Sequence, residues 1–118
     1  MINREVITRN CYVDPAMVTE LTHLFMNELP AYQQKIERAV KNRSASEIAF
    51  ATHKLRGGLS LFGAQEALEV AAKLEQMANR GEVSEAAQTL PFLNTELVCV
   101  AQDLVELLED EVATVVRG

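Results

Sequence analysis

"SASEIAFATHKLRGGLSLFGA", residues 44–64, opens on a helix-start signal and closes on Gly-Ala. Ser44 and Glu47 form a Ser-x-x-Glu capping box, in which the serine side chain caps the helix start and the glutamate reaches back to it. At about 100° per residue, Ile48, Ala51, Leu55, Leu59 and Phe62 fall in one stripe, so this stripe is the core side of a helix that should end near Gly63. His53 lies roughly opposite the centre of that stripe. Around it on the outer face sit Ser46, Ala49, Phe50, Arg56, Gly57 and Ser60. Two of these are poor choices for a plain solvated face. Gly57 costs about 1 kcal/mol against alanine inside a helix, yet one turn along from His53 it removes the side chain that would crowd the imidazole. Phe50 places an apolar ring where a polar residue belongs. Both oddities indicate that something docks here, close to the backbone, with Phe50, Ala49 and Ser60 as the docking residues.

Further helices are expected on either side. Upstream, Asp14 and Pro15 read as an N-cap followed by proline at the first helical position. Met17, Leu21, Leu24 and Phe25 then recur at helical spacing, and Leu29, Tyr32, Ile36, Ala39 and Val40 continue the pattern. Pro30 should kink or break this helix, because it removes one ladder hydrogen bond. Downstream, a helix from about Ala64 to Asn79 turns Ala67, Val70, Ala71, Leu74 and Met77 inward, with Gly81 placed to end it. Ser84 can cap the last helix, where Ala86, Leu90, Leu93, Leu97, Val100, Leu104 and Leu107 alternate steps of four and three, a coiled-coil-like seam. Pro91 should kink or restart it. Four amphipathic helices with short connections predict an all-α fold: an antiparallel four-helix bundle with a short N-terminal segment, one domain over residues 1–118.

Composition agrees. Hydrophobic residues make up 48% and charged residues 24%, an ordinary globular balance, and three prolines and five glycines leave little room for the turns of an all-β fold. The formal charge of −6 repels phosphate backbones, which argues against a nucleic-acid partner. Cys11 and Cys99 match no metal spacing and no CxxC motif, as expected of free thiols in a reducing compartment. No apolar run reaches the length of a membrane span and "MINREVITRN" has no signal-peptide core, so a cytoplasmic protein with no membrane association is expected.

The chemistry available to the outer face is that of a phosphoryl acceptor. A neutral imidazole offers a ring-nitrogen lone pair as nucleophile. A phosphoryl group placed on it carries up to two negative charges, which nearby cations favour. Arg56 shares the face, and Lys54 is adjacent in sequence with a long stem. There is no second histidine or carboxylate at metal-binding spacing, no Walker loop and no GxGxxG, so neither a metal nor a cofactor is expected. His23 falls opposite the Leu21/Phe25 stripe without a glycine or cation cluster and reads as solvated surface.

The run His53-Lys54-Leu55-Arg56-Gly57, then Gly63-Ala64, Leu68 and "KLEQ" at 73–76 resembles the histidine phosphotransfer (HPt) domain of two-component phosphorelays. That family's pattern is His-x-Leu-Lys-Gly, a Gly-Ala ten residues after the histidine, and a downstream Leu-Glu. "DPAMVTELTHLFMNELP" is similar to the family's opening helix, so the resemblance covers about residues 12–110. Arg56 departs from the usual lysine; a guanidinium is bulkier and donates in a plane, so the phosphate would be held differently or Lys54 would take part of the role. The resemblance implies a phosphocarrier in which His53 accepts a phosphoryl group and Lys54, Arg56 and Gly57 accommodate it. The implied partners are response-regulator receiver domains, which would supply Mg²⁺, and a histidine kinase. The carrier is expected to be a monomer with no ATP-binding or kinase site of its own. Two other readings stay open. One is a non-phosphorylated helical module that binds receivers or kinases. The other is the phosphoacceptor domain of a larger chemotaxis-type or hybrid kinase, although the initial methionine and the lack of a trailing linker lean towards a free-standing protein.

Overall fold

The computed structural model describes the backbone of residues 2–10 and 15–117, and the side chains of 2–7 and 16–110. Five helices follow in order: α1 (Arg4–Asn10), α2 (Pro15–Lys41), α3 (Ala45–Leu61), α4 (Gln65–Asn79) and α5 (Val83–Arg117). Helices α2 to α5 form the antiparallel bundle. α3 packs between α2 and α4, and α5 closes the ring against α4 and α2. No helix among the described residues is long and apolar enough to cross a membrane.

The stripe Ile48, Ala51, Leu55, Leu59 and Phe62 is buried throughout, as its spacing requires. So is the α5 seam of Ala86, Leu93, Leu97, Val100, Leu104 and Leu107, with Leu90 packed at its edge. α4 turns Ala67, Ala71 and Leu74 inward and packs Val70 and Met77 partly. On α2 the expected face keeps Phe25, Leu29, Ile36 and Ala39, with Leu21, Tyr32 and Val40 packed at its edge, and differs only in its first turns. Met17 and Leu24 are 43% and 54% exposed, and the buried positions are Val18, Thr22, Phe25, Leu29, Ile36 and Ala39. The polar member of that stripe is satisfied internally: Thr22 Oγ1 donates to the Val18 carbonyl at 2.6 Å, so burying it leaves no orphan hydroxyl.

Neither proline interrupts its helix. α2 runs through Pro30 and α5 through Pro91. Both rings lie on exposed faces, where water can take up the carbonyl that the missing N–H leaves free. The capping box is half formed. Ser44 Oγ accepts from the Glu47 amide at 3.4 Å, but the Ser44 amide already donates to the Ala39 carbonyl at 3.0 Å, which removes the target for Glu47. The Asp14 cap and Cys11 lie outside the described residues, and Cys99 is an exposed free thiol. Ser84 is not the cap of α5. The first intrahelical bond runs from the Ala86 amide to the Glu82 carbonyl, placing Ser84 inside the first turn, where it accepts from Arg43 across the two turns at 3.3 Å.

The short N-terminal segment is itself helical. α1 seats on the opposite end of the bundle: the Asn3 amide donates to the Phe62 carbonyl at 2.8 Å, the Ile2 amide to Asp103 at 3.2 Å, and Arg4 pairs with Asp110. The α3–α4 turn beneath it depends on Gly63, whose φ of 62° belongs to the left-handed region and whose missing Cβ would stand 2.7 Å from Asn3 Cβ. Gly81, with φ 74°, ends the turn after α4 as anticipated.

Candidate functional site

His53 stands mid-way along α3 with its side chain 73% exposed, opposite the buried stripe. The helix wheel divides its surroundings into two flanks. Towards α4 lies Arg56, and towards α2 lie Phe50, Lys54 and Gly57.

On the α4 flank, the Glu75 carboxylate reaches across from the neighbouring helix. Its Oε1 is 3.0 Å from His53 Nδ1 and its Oε2 is 2.5 Å from Arg56 Nη1. Glu75 is only 13% exposed, so its two oxygens are held between the two donors. A carboxylate can only accept, so Nδ1 carries the proton and the free lone pair of the neutral ring is on Nε2. The ring is thereby fixed in one tautomer with its nucleophilic nitrogen defined. Arg56 is 39% exposed and anchored by Nη1; its buried Nε has no acceptor among the described residues.

On the α2 flank, Lys54 does not point at His53. Its Nζ sits 4.6 Å from the centroid of the Phe50 ring. Phe50 is 65% exposed, Ser60 is exposed and Ala49 is half-buried. Gly57 is exposed, and a Cβ added there would meet no atom within 4 Å. Its neighbour Gly58 is the tightly packed one. A Cβ there would collide with Phe25 Cε1, and the Phe25 ring stacks on Phe62 with centroids 5.2 Å apart. The Gly-Gly pair therefore combines two separate demands, open space outside and a phenyl ring inside.

The residues nominated from sequence thus occupy one face, and the structure adds Glu75. Sequence reasoning passed over it as part of "KLEQ" (73–76), although a carboxylate next to the buried Leu74, on the helix following an outward histidine and arginine, was the available signal. His23 is exposed, as expected. Among the described residues no group of three or more histidine, cysteine or acidic side chains could hold a metal ion.

The chain matches the Hpt domain family over residues 20–117. Comparison with curated protein sequences gives no match. Among solved structures, it is similar to histidine-containing phosphotransfer protein B from Pseudomonas aeruginosa, with a TM-score of 0.85 at 19% identity over 92% of this chain and 95% of that one. It is also similar to the HPT domain of a sensor hybrid histidine kinase from Shewanella, with a TM-score of 0.81 at 18% identity over 92% and 94% of the two chains. At such identities the likeness is one of fold. The family match spans most of α2 and all of α3 to α5, with His53 and Glu75 inside it, and the chain belongs to the Hpt domain family.

Proposed function

We propose that His53 is the phosphoacceptor of a phosphorelay carrier. It takes a phosphoryl group from the phosphoaspartate of a receiver domain, or from a histidine kinase, and passes it to the aspartate of another receiver. Family membership gives the class of activity, histidine phosphotransfer in phosphorelays. The observation that carries the assignment to His53 is the Glu75 carboxylate 3.0 Å from Nδ1 of a histidine that is otherwise open to solvent.

The chemistry balances on these groups. The Nε2 lone pair attacks phosphorus, the P–N bond forms, and the P–O bond to the partner's aspartate breaks with the carboxylate leaving. The ring gains positive charge while Nδ1 keeps its proton. Glu75 faces that developing charge from a fixed position, so the Nδ1–H···Oε1 bond strengthens as the reaction proceeds. Arg56 acts through Glu75 by holding its second oxygen. Lys54 is the mobile cation: leaving Phe50 sacrifices an exposed cation–π contact of about 0.5–1 kcal/mol, which a phosphoryl group can replace. Gly57 leaves room for the incoming partner. The receiver would supply its own carboxylates and Mg²⁺, and a monomer in the cytoplasm completes the reading.

The test is incubation with phosphorylated receiver domains. An acid-labile, base-stable label that maps to His53 is the expected result. No label would leave the non-phosphorylated interaction module as the better reading, and a label on another residue would overturn the assignment to His53.

A further inference from the structure

Beside His53, α2 and α3 enclose a groove of 460 Å³ lined by Lys35, Arg38, Ala39, Glu47, Phe50 and Ala51 among others. Ala39 and Ala51, 3% and 6% exposed, make its apolar floor, and the exposed Phe50 ring makes its lip. Lys54 holds a further positive charge over that ring. Lys35 and Arg38 are exposed and pair with no carboxylate among the described residues, and Glu47 is the acidic member of the lining. The groove is apolar at the bottom and mainly cationic at the rim.

The rest of the chain is charged in the opposite sense. Segments 35–56 and 73–95, which flank the α2–α3 and α4–α5 turns, carry eight cations against five carboxylates. All other positions together carry three cations against twelve carboxylates. Arg43 joins the two turns by its bond to Ser84, so the first two segments form one end of the bundle. A chain of net charge −6 therefore carries an excess of positive charge around its histidine. Such a separation orients an anionic partner before contact and repels it from the far end.

We propose that this groove is the docking seat for an acidic segment of the phosphoryl-exchange partner. An apolar side chain of that segment enters between Ala39, Phe50 and Ala51, and carboxylates beside it meet Lys35 and Arg38. The proposal rests on the reading of His53 as phosphoacceptor, because a partner that presents an aspartate or its phosphate brings negative charge to this face. Lys35 and Arg38 then select the partner while His53 performs the transfer.

The experiment titrates the full chain with purified response-regulator receiver domains, followed by fluorescence anisotropy, with melting curves as the control for folding. Lys35→Glu with Arg38→Glu is expected to weaken binding by about tenfold or more, and Phe50→Ala independently by a similar factor. Binding by the unaltered chain should weaken as salt rises from about 50 to about 300 mM, since exposed charges are then screened. Unchanged affinity in the charge-reversed chain, salt-independent binding, or no receiver bound at all would overturn the proposal. So would a dimer of the unaltered chain that the reversal dissolves, because a second copy, through its acidic end, would then occupy the groove. The two readings separate in a transfer assay. Loss of binding on charge reversal, with no phosphoryl reaching His53 from any receiver, keeps the groove and removes the phosphoacceptor.

Discussion

Replacing Glu75 with alanine removes the acceptor that orients His53. A hydrogen bond to a charged partner contributes about 1.5–3 kcal/mol when its groups are shielded. The Glu75 side is shielded at 13% exposure, but the imidazole is 73% exposed and water can accept the hydrogen bond from Nδ1–H in its place, so the low end applies. About 1.5 kcal/mol at the transition state corresponds to a reaction roughly ten times slower. The assay is phosphorylation by phosphoramidate, a small donor that needs no docking surface, followed as phosphohistidine by phosphorus NMR. Glu75→Gln should fall between wild type and Glu75→Ala, because its amide oxygen can still accept from Nδ1 but carries no charge to meet the cationic ring. Fold stability should change by at most about 1 kcal/mol, the scale of a partly exposed ion pair with Arg56. An unchanged phosphorylation rate in Glu75→Ala would refute the positioning role, and a rate loss that only tracks unfolding would refute it equally.

Four other substitutions test the site and its support. His53→Gln should abolish the acid-labile label and leave the melting temperature nearly unchanged, because exposed substitutions usually alter stability by less than about 0.5 kcal/mol; a loss of several kcal/mol would contradict the outward placement. Gly57→Leu meets no neighbour at its Cβ, so it should raise stability by up to about 1 kcal/mol while blocking receiver transfer, and normal transfer would remove the access argument. Gly58→Ala drives a methyl group into Phe25 and should cost about 1–3 kcal/mol in a denaturation experiment. Phe25→Leu in the same chain should recover part of that loss, and strictly additive losses would show that the ring is not the obstacle.

The bundle was legible wherever one apolar stripe had a single solution. On α3 every inward position is apolar except Thr52, which donates to the Ile48 carbonyl at 2.6 Å, so the opposite face and its histidine could be read directly. On α2 there were two competing solutions. Met17 and Leu24 looked inward beside Leu21, but the core takes Val18 and Thr22, and a threonine that satisfies itself gives no hydrophobic signal. The prolines misled for a related reason, since their effect depends on which side of the helix they face. Glu75 stood in view beside Leu74, but its contact with His53 crosses two helices, and periodicity within one helix carries no information about its neighbour's rotation. Phe25 and Gly58 illustrate the same limit, as their fit exists only once α2 and α3 are packed.

On the convex outside of α3, the His53 imidazole is flanked by Glu75 on its Nδ1 side and is otherwise open to solvent. A phosphoryl group on Nε2, as proposed, would stand in bulk water, and among the described residues neither a lid nor a cleft would delay the approach of a solvent molecule. The lifetime of the charged carrier is then the lifetime of the P–N bond itself, and selectivity for an aspartate over water must come from the visiting protein. On the proposed reading the bundle would be an open terminal, storing the group between encounters and discharging at a rate set by whichever partner arrives.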